Sequence, residues 1–431
     1  MNSRTAMGSE QKNQYLVPTI IIGILFFIFG FVTWLNGPLI QFVKLAFDLN
    51  TDSEAFLVTT AFYIAYFFLA LPSSWILEKT GMKKGMALGL FVMAIGTFIF
   101  GTFATQRNYT ACLVGLFIIG SGLSLLQTAS NPYISILGPI ESAAQRISIM
   151  GIFNKVAGIL SPIILGALVL QGMDDFESQV KNAASPEIKE SLLNQFAGQI
   201  YVPYMIMAGI LVLLSVWIIK SGLPEVKASE ANALPPDNSL SKQKSSVLQF
   251  PHLLLGALCI FFYVGAEVMA GDAIGTYGNS FNIPQDETKY FTSFTLVGML
   301  IGYVIGLATI PKYITQQAAL KISAFAGIAF TLATLFTSGY VAVAFVAALG
   351  LANALMWPAI FPLAIDGLGK FTEKGSAILI MGIAGGAVIP RLFADLKEQY
   401  DFQWVFFGLM IPCYLYILYF AISGYKAGKK S

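Results

Sequence analysis

Apolar runs of about twenty residues recur along the chain, separated by short polar connections. They fall near residues 18–47, 54–77, 84–104, 110–138, 144–171, 200–221, 251–280, 289–309, 317–337, 340–367, 374–396 and 403–424. A helix of that length crosses the hydrocarbon core of a bilayer. The pattern predicts an all-α membrane protein with twelve transmembrane helices. A polar stretch at 222–250, with Pro235-Pro236 and several Ser and Lys residues, divides six spans from six. The expected organisation is an N-terminal six-helix bundle at 1–221, a cytoplasmic linker at 222–250 and a C-terminal six-helix bundle at 251–431. The acidic connection 172–199 is expected to carry a short amphipathic helix. The polar stretch before span one has no small-residue cleavage site, so no removable signal peptide is expected.

Composition fits this pattern, with 56% hydrophobic and only 11% charged residues, ordinary for a polytopic membrane protein. Placing both termini in the cytoplasm puts 17 of the 25 Lys and Arg residues on that side. Lys44, Arg107, Lys181, Lys189, Lys289 and Lys397 fall outside, and Lys155 and Arg391 lie within spans. This is the positive-inside asymmetry. A net charge of +2 without a basic run offers nothing to nucleic acid. Cys112, Cys259 and Cys413 all sit in apolar stretches, which supports neither a disulfide framework nor a metal site. His252, the lone histidine, has no partners for zinc binding. Neither an enzyme nor a cofactor is expected.

The functional signal lies in polar residues at bilayer depth. Span four holds Gln127-Thr128-Ala129-Ser130-Asn131-Pro132. Such side chains are costly unless they face a bundle interior or a watery cavity, and the carbonyl freed by the proline must be satisfied. Amides both donate and accept, so the run predicts part of a site for a neutral, hydroxyl-rich ligand. Asn36, Asn154 and Asn353 join Gln127 and Asn131 as candidate ligand contacts; helix–helix hydrogen bonding is the plainer role for each. Trp357 is a candidate for stacking on the apolar face of a sugar, with Trp34 a second.

Lys155, Glu267, Asp272 and Arg391 are ionisable and deep, and each unpaired charge at a helix centre costs about 2.5–3.5 kcal/mol. Glu267 is a candidate for accepting hydrogen bonds from hydroxyls or for helping to bind a cation. Asp272 is the candidate coupling carboxylate, with a structural pairing to Lys155 as the alternative. Lys155 is either a charge partner released on ligand arrival or a permanent counter-ion. Arg391 and Asp395 have the spacing of an interfacial i,i+4 pair.

The two halves repeat in order, as parallel transporter repeats do. Ser148-Ile149-Met150-Gly151-Ile152 matches Leu379-Ile380-Met381-Gly382-Ile383, and the spacing of Gln127 from Pro132 matches that of Asn353 from Pro358. Aligning Gly30 with Gly265 sets Gly37 opposite Asp272. A two-domain transporter fits this better than a channel or receptor. After span two, Ser74 to Lys84 gathers a carboxylate, basic residues and a glycine. Glu78, Lys79, Gly81 and Lys83 are candidates for a gating loop at the domain seam; the alternative is a solvated basic loop serving topology.

That loop is close to the major facilitator signature, with Ser in place of its first glycine and Glu in place of its Asp. Over nearly its whole length the chain resembles the fucose/galactose/glucose symporter family of the major facilitator superfamily. The resemblance rests on Leu35-Asn36, Gln127 to Tyr133, Leu137-Gly138-Pro139 with Glu141, Phe153-Asn154, Phe262 to Glu267, Trp357-Pro358 and Gly385-Gly386. Asn154-Lys155, Ala270 to Thr276 and Gly350 to Ala354 resemble the branch of bacterial glucose/galactose transporters and N-acetylglucosamine permeases. Proton-coupled fucose members carry acids where this chain has Gly37 and Gln127, so that coupling pair does not carry over.

The resemblance implies a major facilitator fold, with spans one, four, seven and ten lining a cavity and span five flanking it. It implies a multi-pass protein of the bacterial inner membrane that imports a neutral hexose, glucose or galactose first, with a co-transported cation. An N-acetylglucosamine or mannose permease, or a facilitative uniporter, is the alternative. Hexose, co-transported Na⁺ or H⁺ and the lipid bilayer are the expected partners, and a monomer is expected. Sodium is expected ahead of protons, because a carboxylate among amide and carbonyl oxygens suits a hard cation.

Overall fold

A computed structural model describes residues 3–136, 143–224 and 245–429. Among them, twelve helices are long and apolar enough to cross a membrane. They run from span one, Val17–Ala46, and span two, Asp52–Thr80, to span twelve, Phe402–Ile422. Most of the linker (225–244) and the stretch from Leu137 to Glu141 lie outside the described residues.

Spans one, seven and ten are each two helices in series. Span one passes from Ser3–Thr33 to Asn36–Ala46, span seven from Pro251–Gly271 to Ile274–Asn279, and span ten from Gly339–Asn353 to Met356–Ile365. Each break falls at or beside a polar residue, namely Asn36, Asp272 or Asn353. The span expected at 251–280 is therefore discontinuous. Non-helical backbone at this depth needs partners within the protein, and span eight (Gln285–Thr309) supplies them. Thr292 Oγ1 donates to the Gly271 carbonyl at 2.8 Å, and Thr295 Oγ1 to that of Ala270 at 2.6 Å. Span four, by contrast, stays helical through Pro132.

Glycines bring helices together where the fold is tightest. A Cβ on Gly122 of span four would lie 2.5 Å from the Gly89 carbonyl of span three (Met82–Thr105). Across the seam between the first and last six spans, span five (Arg146–Leu168) packs on span eight, and span two on span eleven (Thr372–Leu396).

The connection 172–199 forms two helices, Met173–Lys181 and Pro186–Gly198, where one was expected. The first meets the short helix Gln285–Thr288 in a reciprocal clasp. Asp174 accepts from the backbone N–H groups of Gln285 (3.0 Å) and Asp286 (3.1 Å). Asp286 in turn accepts from those of Met173 (3.3 Å) and Asp174 (3.4 Å). Each acid thus satisfies orphan donors at the other helix's start. Nearby, Asp52 pairs with both Lys44 and Lys397, and Arg391 bonds the Ser53 carbonyl and Asp395. These contacts join the two halves on the face away from the termini.

Candidate functional site

A cavity of about 100 Å³ lies between the halves, room for several waters. Its centrepiece is an ion pair across the seam: Lys155 Nζ of span five lies 2.9 Å from Glu267 Oε1 of span seven. Both side chains are buried, 7% and 11% exposed. The ammonium also stands 4.3 Å from the centroid of the Trp34 ring, a cation–π contact. Trp34 Nε1 donates to Asn154 Oδ1 at 3.3 Å, which orients the indole. Gly158 makes this possible: a Cβ there would lie 2.5 Å from Trp34.

The opposite wall is phenol and amide. Gln127 Nε2 donates to the Tyr66 hydroxyl at 2.8 Å, and Asn131 Nδ2 to the Gln127 carbonyl at 3.0 Å. Tyr63, Tyr263 and Tyr303 add to the lining, and Trp357 stacks on Phe361 with centroids 5.6 Å apart. One charge pair, several two-way hydrogen-bonding groups and flat aromatic faces can together grip a neutral ring bearing hydroxyls.

A second polar cluster adjoins the cavity. Asp272, in the break of span seven, is 1% exposed. Its Oδ2 accepts from the Tyr63 hydroxyl at 3.4 Å, while Oδ1 makes no well-formed hydrogen bond and the Gly37 backbone is the carboxylate's other close neighbour. It faces Gly37, whose Cβ, if present, would lie 3.4 Å from Asp272 Oδ1 and 2.4 Å from Thr292 Oγ1.

Residues 22–394 match the family model described as Major Facilitator Superfamily. The chain belongs to the Major Facilitator Superfamily. It is 33% identical to the glucose/galactose transporter of Brucella abortus (strain 9-941), over 97% of this chain and 96% of that protein. It is 31% identical to the L-fucose-proton symporter of Escherichia coli K12, over 90% of this chain and 88% of that one. Among solved structures, the crystal structure of the Escherichia coli fucose:proton symporter FucP is similar with a TM-score of 0.74. That match has 26% identity and covers 94% of this chain and 98% of the other. The protein is thus a multi-pass inner-membrane protein, and its relatives are transporters rather than enzymes.

In this major facilitator protein the cavity gathers Gln127, Asn131, Asn154, Lys155, Glu267 and Trp357. Two candidates for ligand contact are placed elsewhere. Asn353 is fully buried, and its Oδ1 accepts from the Tyr414 hydroxyl at 3.0 Å, because the break in span ten turns it toward span twelve. Asn36 is 1% exposed and lies beside Tyr63, in the Asp272 cluster rather than on the cavity wall. Span five, expected to flank the cavity, lines it, since Gly151 and Gly158 let it close on Tyr303 and Trp34. Lys155 pairs with Glu267 and not with Asp272.

The gating-loop candidates lie where span two joins span three. Gly81, with φ of 80°, joins Leu57–Thr80 to Met82–Thr105, a backbone turn suited to glycine. Lys83 donates to the Ser221 carbonyl at 2.8 Å, within the first six spans. Glu78 and Lys79 are exposed. The charged contacts described above join the halves on the opposite face.

The tyrosines at 63, 66, 263 and 303 and Thr292 were not foreseen. Tyr63 and Tyr66, three apart in an apolar span, look like packing; the available clue is that a buried phenol hydroxyl needs a partner.

Proposed function

We propose that this protein is a secondary active transporter that imports a neutral hexose, glucose or galactose first, together with a cation. The observation that carries the reading is the buried Lys155–Glu267 pair, which spans the seam within a cavity of amides, phenols and indoles. Hydroxyls of a bound sugar can accept from Lys155 and donate to Glu267, drawing both halves onto one ligand. The likeness to a glucose/galactose transporter and an L-fucose-proton symporter supports a hexose. The chain works as two six-helix bundles, 1–221 and 251–431, joined by the linker 222–250, with both termini cytoplasmic. They rock about the site as a monomer.

Asp272 carries the coupling, with sodium ahead of protons. A facilitative uniporter has no use for a buried carboxylate whose oxygen makes no well-formed hydrogen bond, so that feature favours symport. One inward charge at 100 mV supplies about 2.3 kcal/mol, enough to concentrate a neutral sugar roughly 50-fold. Uptake of radiolabelled hexose into proteoliposomes, with sodium and proton gradients imposed separately, tests the reading. Accumulation under the sodium gradient alone is expected, and Asp272→Asn should lower the ratio of accumulation to counterflow exchange. Accumulation under a proton gradient without sodium refutes the choice of ion. An absence of hexose uptake or exchange under every gradient refutes the substrate.

A further inference from the structure

Three oxygen-bearing side chains from three spans converge beside the cavity without contacting its ion pair. Asp272 Oδ1 and Thr292 Oγ1 both close on the bare Cα of Gly37. Asn36, next in the chain, lies in the same cluster; its amide approaches the Tyr63 hydroxyl, but its buried nitrogen makes no well-formed hydrogen bond. Thr292 donates its proton to the Gly271 carbonyl, which leaves its lone pairs free. A half-turn of the Asn36 amide exchanges nitrogen for oxygen and presents a carbonyl in the same place.

Two polar atoms this deeply buried without well-formed hydrogen bonds need an explanation. A bare carboxylate at such a site is unstable unless something positive joins it, and Lys155 is already held by Glu267. Both backbones are broken here, span one ahead of Asn36 and span seven at Asp272. Discontinuous helices are where membrane transporters place coordinating groups for ions. Among the described residues no cluster of three or more His, Cys, Asp or Glu exists to hold a metal of higher charge. One carboxylate with neutral oxygens matches a small, hard, monovalent ion.

We propose that Asp272, Thr292 and Asn36 form a sodium site on the seam, and that Tyr63 links its occupancy to the sugar cavity. The proposal rests on the symport reading and gives its ion a place. Tyr63 is a positioning residue with two faces. Its hydroxyl touches Asp272, while its ring lines the cavity and stacks on Tyr66, 6.5 Å between centroids and 26° between planes. Tyr66 in turn receives Gln127. An ion that pulls the Asp272 carboxylate toward Gly37 therefore shifts the phenol pair that orients the span-four amides. Linkage makes the effect reciprocal: sodium tightens sugar by the same factor as sugar tightens sodium.

The test is the ratio of hexose dissociation constants without and with sodium, choline replacing it, in purified protein at fixed pH. The parent should show a 5- to 150-fold ratio, the usual span for coupled sites. Thr292→Val, which keeps shape but loses the oxygen, should bring the ratio close to one, and Thr292→Ser should keep it. Tyr63→Phe should reduce it as well. A ratio that survives Thr292→Val places the ion elsewhere and overturns the site. So does a parent whose affinity ignores sodium but responds to pH, since the occupant is then a proton. If no hexose binds in either medium, the symport reading fails separately, and calorimetry with sodium alone decides the site. Heat seen in the parent and Thr292→Ser but lost in Thr292→Val upholds it; no heat in the parent overturns it.

Discussion

Removing one member of the Lys155–Glu267 pair and then both separates a binding role from a scaffolding one. The two side chains are 7% and 11% exposed, so a charge that loses its partner has only the few waters of the cavity to turn to. Breaking a buried pair from one side costs about 3–5 kcal/mol, whereas replacing both charges by neutral groups of similar shape is nearly neutral. Lys155→Met should be the worse of the two single changes, because it also removes the contact with Trp34, a further ~1 kcal/mol. Glu267→Gln leaves an ammonium without its counter-ion. The double variant should recover most of the thermal stability, with a coupling energy of about 3 kcal/mol, at the top of the range for touching residues. Sugar affinity should not recover with it. Each charged hydrogen bond to a hydroxyl is worth about 1.5–3 kcal/mol, a roughly 10- to 150-fold loss in Kd. Thermal inactivation in detergent and calorimetry with glucose and galactose measure the two quantities on the same preparations. If the double variant regains both stability and sugar affinity, the pair is scaffold and the site is wrongly placed.

Gln127→Ala and Asn131→Ala should each weaken hexose binding by about 1–3 kcal/mol while leaving expression intact; unchanged affinity in both would remove span four from the site. Trp357→Phe should keep more affinity than Trp357→Ala, since the smaller ring still offers a stacking face, and equal affinities would assign Trp357 to packing. Gly37→Ala should impair cation-driven accumulation, because the added methyl would meet Thr292 Oγ1 at 2.4 Å; full accumulation would show that the cluster yields freely. Asp174→Ala removes the acceptor for two backbone donors, a cap worth about 0.5–2 kcal/mol. It should favour the state in which the two clasp helices separate by roughly 2- to 30-fold. Spin labels at Lys181 and Glu287 should then show longer distances, and an unchanged distribution would make the clasp incidental.

The spans were legible because crossing a bilayer is a matter of length and composition, which a window over the sequence measures directly. Gln127 and Asn131 were legible because an amide at that depth must find a partner. The direction in which Asn36 and Asn353 point was not, because it depends on where the helices break. Proline is an ambiguous guide to that. Pro38 and Pro358 each stand third in a restarted helix, where a missing N–H costs nothing. Pro132, Pro162 and Pro390 lie inside helices that continue past them. Span seven breaks with no proline, at Gly271-Asp272. The tyrosines were hidden for a different reason: a phenol in an apolar span counts as filler until its hydroxyl's partner is known.

The repeat carried more information than its use in counting domains suggests. Alignment of the halves makes Gly37 and Asp272 equivalent positions, and in the fold they touch. Equivalent points in two bundles related by a two-fold axis lie equally far from that axis on opposite sides, so they meet only if both are close to it. An acid at both positions would set two carboxylates in contact, and like charges that near cannot both persist. One acid facing one glycine is therefore the arrangement the symmetry permits, and it does not matter electrostatically which half supplies the acid. A site at that contact also sits on the seam between the two halves. A cation bound there would take its ligands from both bundles.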